Sequence, residues 1–356
     1  MGQNPGLTRT SLATSLNFRS DNEAPAHPRI LEALARANTG HATAYADDDW
    51  SLALDERFSE VFGTACRVLP LATGTAGNSI ALAELCPPWG AILCHPGAHI
   101  HNDEGGAPEF YSHGAKLVPV PGDQGKLDPR ALAGTIDSAG VHGVHNVKPS
   151  VVSITQATEC GTAYYPDQVQ AISRVCRERG LPLHMDGARF ANALVHLDCS
   201  PAEATWQAGV DVLVFGASKN GCLAAEAIVV FGSTDWIEGM ERRRKRGGHL
   251  LSKMRYVSAQ LLASMDDGLW LELAGHANSM AARLAEGIES AKTGRLEWPV
   301  EANEVFARLP EDTIGRLREA GGQFHVWPGS TDLVRLVCSF ATTGSEVDRF
   351  VDTLDA

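Results

Sequence analysis

Apolar positions recur along this chain with two different periods. Pro28–Asn38 (PRILEALARAN) and Ser51–Phe62 place them at helical spacing, and Pro166–Arg179 does the same before Gly180 ends it. Gly77–Leu85 follows a glycine turn and reads as a helix of small residues. Between these pieces lie short apolar runs: Ala91–Cys94, Lys116–Val120, Val151–Thr155, Leu181–Met185, Val210–Phe215 and Ala227–Phe231. Short, nearly continuous apolar strands separated by helices predict a mostly parallel sheet covered on both faces.

Beyond about Gly232 the texture changes. Charged helices are expected at Trp236–Lys245, Lys253–Leu262 and Leu269–Leu284. Short strands follow near Glu304–Leu309, Gln323–Trp327 and Leu333–Ser339, with a last helix from Ser345. This pattern predicts an α/β domain over residues 17–255 and a smaller α+β C-terminal domain over 256–356. Residues 1–16 read as an N-terminal tail.

Composition narrows the class. With 356 residues the chain is long enough for about two domains. A net charge of −13 opposes a nucleic-acid partner, whose phosphates would be repelled. No apolar run approaches the roughly 20 residues that cross a bilayer, and the N-terminus lacks the apolar core of a signal peptide. Eight cysteines without a C-x-x-C pair read as reduced, mostly buried thiols of a cytoplasmic protein, and no zinc spacing is present. The basic run Glu241–His249 (ERRRKRGGH) matches a nucleic-acid patch only in isolation. Within this acidic chain it reads mostly as a solvated helix face.

Three chemistry-bearing stretches end predicted strands, where open α/β sheets bind ligands. Leu71–Asn78 (LATGTAGN) opens a helix with a glycine turn, which is either a phosphate cradle or an ordinary capped helix. Asp186, in HMDGAR, needs a cationic or hydrogen-bonding partner. It pairs with Arg189 or faces a protonated ring nitrogen. Lys219, in FGASKNG, either reaches solvent or acts as an amine nucleophile. Phosphate turn, carboxylate and lysine together are what pyridoxal 5′-phosphate requires.

The blocks HMDGARFANAL (184–194), FGASKNG (215–221), LATGTAGN (71–78) and HIHNDEGGAPEF (99–110) closely resemble bacterial low-specificity L-threonine aldolases. The resemblance runs from about Asn17 to the C-terminus. It implies the fold of the aspartate-aminotransferase-type, pyridoxal-phosphate-dependent enzymes and retro-aldol cleavage of β-hydroxy-α-amino acids. It implies further that Lys219 bonds to the cofactor, that Asp186 faces its ring nitrogen and that Arg189 lies beside it. Gly74 and Thr75 correspond to the phosphate cup, and His99 to the histidine stacked on the ring.

His145 corresponds to a second histidine near the substrate hydroxyl, with His142 as a neighbouring competitor. His99, His145 and an ordered water are the candidate bases. Arg335 and Ser20 correspond to the groups on the substrate carboxylate. Tyr45 corresponds to an active-site loop residue, although Ala46 stands where a glycine is usual. The resemblance implies that a basic residue of the 242–255 region reaches a neighbouring subunit's cofactor phosphate, Lys245 and Lys253 being the candidates. The family suggests a homotetramer built from dimers. No family role falls to His101, which reads as a strand or loop residue, and no metal is implied. Other reactions of this cofactor on the same fold, such as β-elimination or transamination, stay open. So does a scaffold without catalysis.

Overall fold

The computed structural model describes residues 16–356, so nearly all of the expected N-terminal tail lies outside the described residues. Seven strands form the main sheet: β1 (Cys66–Leu71), β2 (Gly90–Cys94), β3 (Lys116–Pro119), β4 (Lys148–Thr155), β5 (Leu183–Gly187), β6 (Val212–Gly216) and β7 (Glu226–Phe231). Their spatial order is β1-β7-β6-β5-β4-β2-β3. Only β7 runs antiparallel to its neighbours, β1 and β6. The remaining pairs are parallel.

Both faces of this sheet are covered, which is why its strands are apolar without alternation. Leu213 and Phe215 of β6 join one core cluster with Phe58, Phe62, Phe190 and Trp270. Val212 and Val214 join another, with Ile80 and Leu82. The two-residue period of a strand sends alternate side chains to opposite layers.

Two helix starts lie slightly earlier than the apolar pattern alone indicates, because capping side chains set them. Asp48 accepts the Ser51 N–H at 2.9 Å and opens α1 (Asp49–Phe62). Thr73 accepts the Ala76 N–H at 3.2 Å and opens α2 (Gly74–Leu85). The glycines of the 74–77 turn are thus already helical. At Gly77 an added Cβ would lie 2.7 Å from Val214 Cγ1, so glycine lets the helix sit close against β6.

The smaller layer contains a four-stranded antiparallel sheet in which Leu333–Val337 pairs with Glu304–Arg308 and His325–Val326. The segment expected as one strand over 323–327 divides. Gly322–Gln323 pairs in parallel with Leu16–Asn17, and His325–Val326 joins the sheet. The expected domain start at 256 falls in a helix that belongs to the larger core. That helix, α3 (Arg255–Met265), contributes Val257 and Leu261 to the cluster of Phe58 and Phe215. The apolar clusters divide later, inside α4 (Leu269–Ser290). Its Leu273 and Ala274 pack in the larger core, while Ala281, Leu284 and Ile288 pack in the smaller one. Leu16 and Phe18 also pack in the smaller core, so the described residues pass through it first before entering the larger one.

Candidate active site

The carboxyl ends of the parallel strands converge on a cavity of about 300 Å³. Its lining includes Gly74 and Thr75 after β1, His99 after β2, Asp186 on β5 and Lys219 after β6. Asn22 of the N-terminal segment closes one side. Residues from five distant stretches of sequence therefore meet in one place.

The wall after β1 is a helix start. The first N–H groups of any helix lack intrahelical carbonyl partners, so those of Gly74 and Thr75 are available to an anion, assisted by the helix dipole. Asp186 is buried at the end of β5. Its Oδ1 accepts the Ala188 N–H at 3.0 Å, and its Oδ2 accepts Asn78 Nδ2 at 2.9 Å. Both oxygens are thereby fixed by neutral donors rather than by a cation.

Asn78 extends that arrangement. The same Nδ2 donates at 2.8 Å to Glu104 Oε1, which also accepts His99 Nδ1 at 3.0 Å. His99, Glu104, Asn78 and Asp186 thus form one hydrogen-bonded chain, buried except for the partly exposed His99 ring. The hydrogen bond from Glu104 raises the His99 pKa above the ordinary histidine value against the opposing effect of burial. Burial pushes the Glu104 carboxyl up, and the nearby Asp186 adds to that push. With Nδ1 committed to Glu104, Nε2 is the ring nitrogen left for chemistry. Glu104 and Asn78 escaped the sequence reading, although both lie inside the blocks HIHNDEGG and LATGTAGN.

Lys219 sits on a turn pinned from two sides. The Glu226 Oε2 accepts the Ala217 N–H at 3.2 Å, and the Ser218 hydroxyl donates to the Ala225 carbonyl at 3.3 Å. At Gly216 a Cβ would lie 2.5 Å from the Ala188 carbonyl oxygen. Glycine there lets the lysine turn and the aspartate turn approach each other directly.

Arg189 does not line this cavity. It is buried, with Nε and Nη2 forked onto Asp21 at 2.8 and 3.0 Å and Nη1 3.3 Å from Glu304. The ion-pair alternative is therefore realised with Asp21 and not with Asp186. Burial would lower the arginine's pKa, but Asp21 and then Glu304 raise it above its usual value. Its fork is engaged in tying the N-terminal segment and the small domain to β5. Arg335 lies nearby, half-buried, with Nε 3.9 Å from Glu304 Oε1 and its guanidinium 5.9 Å from the Trp327 ring. Ser20 caps the short helix Asp21–Glu23 by accepting the Asn22 N–H at 3.2 Å, beside the cavity rather than in its lining.

Other expected residues lie elsewhere in the chain. His145 is exposed in the 3-10 turn Gly143–His145, at the amino end of β4. The eight residues of β4 separate that end from the site edge by roughly 23 Å at the usual strand rise. It is not brought to the cavity of its own chain, nor is its competitor His142. His101 is helical, in His99–Asn102, and exposed. Tyr45 stacks with Lys245, whose Nζ is 4.1 Å from the ring centroid, and lines a separate cavity with Arg67 and Arg244. Lys253 is exposed. Among the described residues no group of His, Cys, Asp and Glu side chains forms a metal cluster, and no helix is long and apolar enough to cross a membrane.

Comparison with known proteins agrees with this geometry. Residues 17–312 match the beta-eliminating lyase family. The low-specificity L-threonine aldolase of Pseudomonas aeruginosa is 45% identical over 91% of this chain and 93% of its own. That of a Pseudomonas species is 43% identical over 94% of this chain and 95% of its own. The structure of Leishmania major threonine aldolase superposes with a TM-score of 0.86 at 30% identity, covering 95% of this chain and 98% of that one. A Mycobacterium tuberculosis N-succinyldiaminopimelate aminotransferase, at 15% identity and a TM-score of 0.71, shares the fold over 96% of this chain and 93% of its own. The fold and site thus define an α/β enzyme class of aminotransferase-like architecture. The chain belongs to the beta-eliminating lyase family, and within it to the low-specificity L-threonine aldolases. That family depends on pyridoxal phosphate.

Proposed function

We propose that this protein is a pyridoxal-phosphate-dependent aldolase that cleaves L-threonine and related β-hydroxy-α-amino acids into glycine and an aldehyde. The observation that carries the reading is the meeting of Lys219, Asp186, His99 and the Gly74–Thr75 helix start around one cavity. These residues suit the cofactor. The free N–H groups of Gly74 and Thr75 take a phosphate. The Asp186 carboxyl is oriented by Asn78 and the Ala188 N–H and would accept a protonated ring nitrogen. His99 offers a flat ring, and Lys219 an amine.

When bound, the cofactor serves as the electron sink for breaking the Cα–Cβ bond. The chain's own residues do the rest. Arg335 holds the substrate carboxylate with its planar fork, assisted by Ser20 from the N-terminal segment. Asp186 keeps the ring nitrogen protonated. His99 Nε2 is the group in the cavity placed to take the hydroxyl proton, because Glu104 occupies its other nitrogen. Lys219, whose turn is held by Glu226 and Ser218, would hold the cofactor through its side-chain amine. Arg189 acts at one remove, by fixing the Asp21 segment against β5.

The direct test is release of glycine and acetaldehyde from L-threonine by purified protein supplied with pyridoxal phosphate. Equimolar release of both is the expected result. Ammonia with a keto acid in their place would make the chain a β-eliminating enzyme instead. Lys219→Ala is expected to abolish the visible absorbance of attached cofactor and nearly all turnover. Full activity in that variant would overturn the assignment.

A further inference from the structure

Glu226 has no part in the chemistry described so far, yet it faces Lys219. It stands at the first position of β7, opposite Gly216. Because β7 alone runs antiparallel in the sheet, its beginning lies at the same edge as the ends of β5 and β6. A buried carboxyl is thereby delivered to the cavity that Lys219, Ser218 and Ala224 also line.

Its surroundings are unusual for a glutamate. Oε2 accepts the Ala217 N–H at 3.2 Å, the neutral Ser218 also hydrogen-bonds the carboxyl, and none of the ion pairs among the described residues includes Glu226. Burial pushes its carboxyl up to about 7, while Ser218, Lys219 and the Ala217 N–H pull it back. Two other carboxyls feel the field of Lys219, Asp21 and Glu159. Asp21 is forked onto Arg189, and Glu159 lies in the fields of both Glu304 and Arg189. Asp186 is held by Asn78 and the Ala188 N–H. The Cys222 thiol, near Glu226, is pushed far above its ordinary range, first by burial and then by that carboxylate, so it stays neutral. Glu226 thus lies in the field of Lys219 with no arginine to neutralise it.

We propose that Glu226 is the positioning and proton-exchange partner of Lys219, holding the lysine turn through Ala217 and trading one proton with the lysine amine. The exchange balances within the pocket. As the amine is freed it takes the carboxyl proton, leaving ammonium beside carboxylate. When the amine is used again the proton returns to the carboxyl. The pocket's net charge is the same before and after, so no charge need cross to solvent through a buried site. The proposal rests on the aldolase reading, since that reading is what makes Lys219 cycle between bonded and free.

The test compares holoenzyme and its Glu226→Gln and Glu226→Asp variants by pH titration of the bound cofactor's visible absorbance. Glutamine preserves an oxygen acceptor for the Ala217 N–H but has neither charge nor proton to exchange. As the pH is raised the Glu226 carboxyl ionises, and the carboxylate then favours the cationic form of the lysine nitrogen, so its loss in Glu226→Gln should move the titration midpoint down by about one pH unit. Glu226→Asp, which keeps the carboxyl, should return the midpoint toward the wild-type value. A purely structural glutamate would change cofactor retention without moving the midpoint. An unmoved midpoint in Glu226→Gln overturns the proposal alone, provided Lys219→Ala is colourless. Visible absorbance surviving in Lys219→Ala overturns the aldolase reading and this proposal together.

Discussion

The residues proposed to do chemistry in this protein are held by neighbours whose part only the structure reveals. Glu104 is the clearest case, since it fixes one nitrogen of His99 and is linked through Asn78 to Asp186. The His99 pKa is raised by the hydrogen bond to Glu104. Glu104→Gln should therefore lower it, as read by the pH titration of the His99 ring signals in the NMR spectrum. The sign for stability follows from linkage. A raised histidine pKa contributes stability that is fully present below the unfolded value of about 6.5 and is lost as pH rises through the folded value. The stability advantage that His99 confers should accordingly be largest in mildly acidic buffer, and a variant with an unchanged His99 titration would remove Glu104 from this role. Lys219 and Asp186 stood out in the sequence because each lies at the end of an apolar strand beside glycines, whereas His99 was picked out only by the resemblance of its block. Glu104, Asn78 and Glu226 were not, because a single polar residue acquires meaning only from a partner distant in sequence. Asn78 and Asp186 are 108 positions apart.

At the scale of elements the strands were read well, because burial on both faces gives them an unbroken apolar character. The antiparallel course of β7 was not legible. Its AIVVF run has the same texture as the parallel strands, and direction is set by the short connection from β6 rather than by composition. That connection brings Glu226 back beside Gly216, and it requires the turn after β6 to nestle against the turn after β5. An alanine at 216 would press its methyl within 2.5 Å of the Ala188 carbonyl oxygen. Gly216→Ala should cost about 1–3 kcal/mol of stability, the usual range for forced overpacking. It should also weaken cofactor retention by parting the lysine and aspartate turns. Denaturant unfolding together with the visible absorbance of the dialysed protein checks both effects, and wild-type values in each would show that the turns do not depend on this contact. The helix cap after β1 offers a milder comparison. Thr73→Ala removes one side-chain acceptor and should cost about 1 kcal/mol in the same unfolding measurement.

For the whole molecule, the change of texture beyond about Gly232 was legible, but the course of the chain between the larger and smaller apolar cores was not. The N-terminal segment starts in the small core with Leu16 and Phe18, then passes Asp21 to Arg189 and Asn22 to the cavity. One buried ionic cluster of Asp21, Arg189 and Glu304 therefore ties three separate stretches together at the site. The outward-facing residues point in another direction. Tyr45 and Lys245 stack on each other away from the cavity of their own chain, and Lys253 is exposed. That placement suits the expectation that basic residues of this region serve a neighbouring subunit, in a homotetramer built from dimers. Shared sites make a specific demand on mixed assemblies. Suppose one chain carries Lys219→Ala and the other carries Lys245→Ala with Lys253→Ala. Each parent assembly then has only defective sites. A hybrid dimer gathers all the substitutions into one site and leaves the other intact. Random pairing of symmetric dimers makes about half of them hybrids, so co-expression should restore about one quarter of the wild-type turnover. Recovery of that order, with neither parent active, supports sites built by two chains. Two inactive parents that stay inactive when mixed, although hybrids are isolated by differential tagging, would place Lys245 and Lys253 outside the neighbour's site.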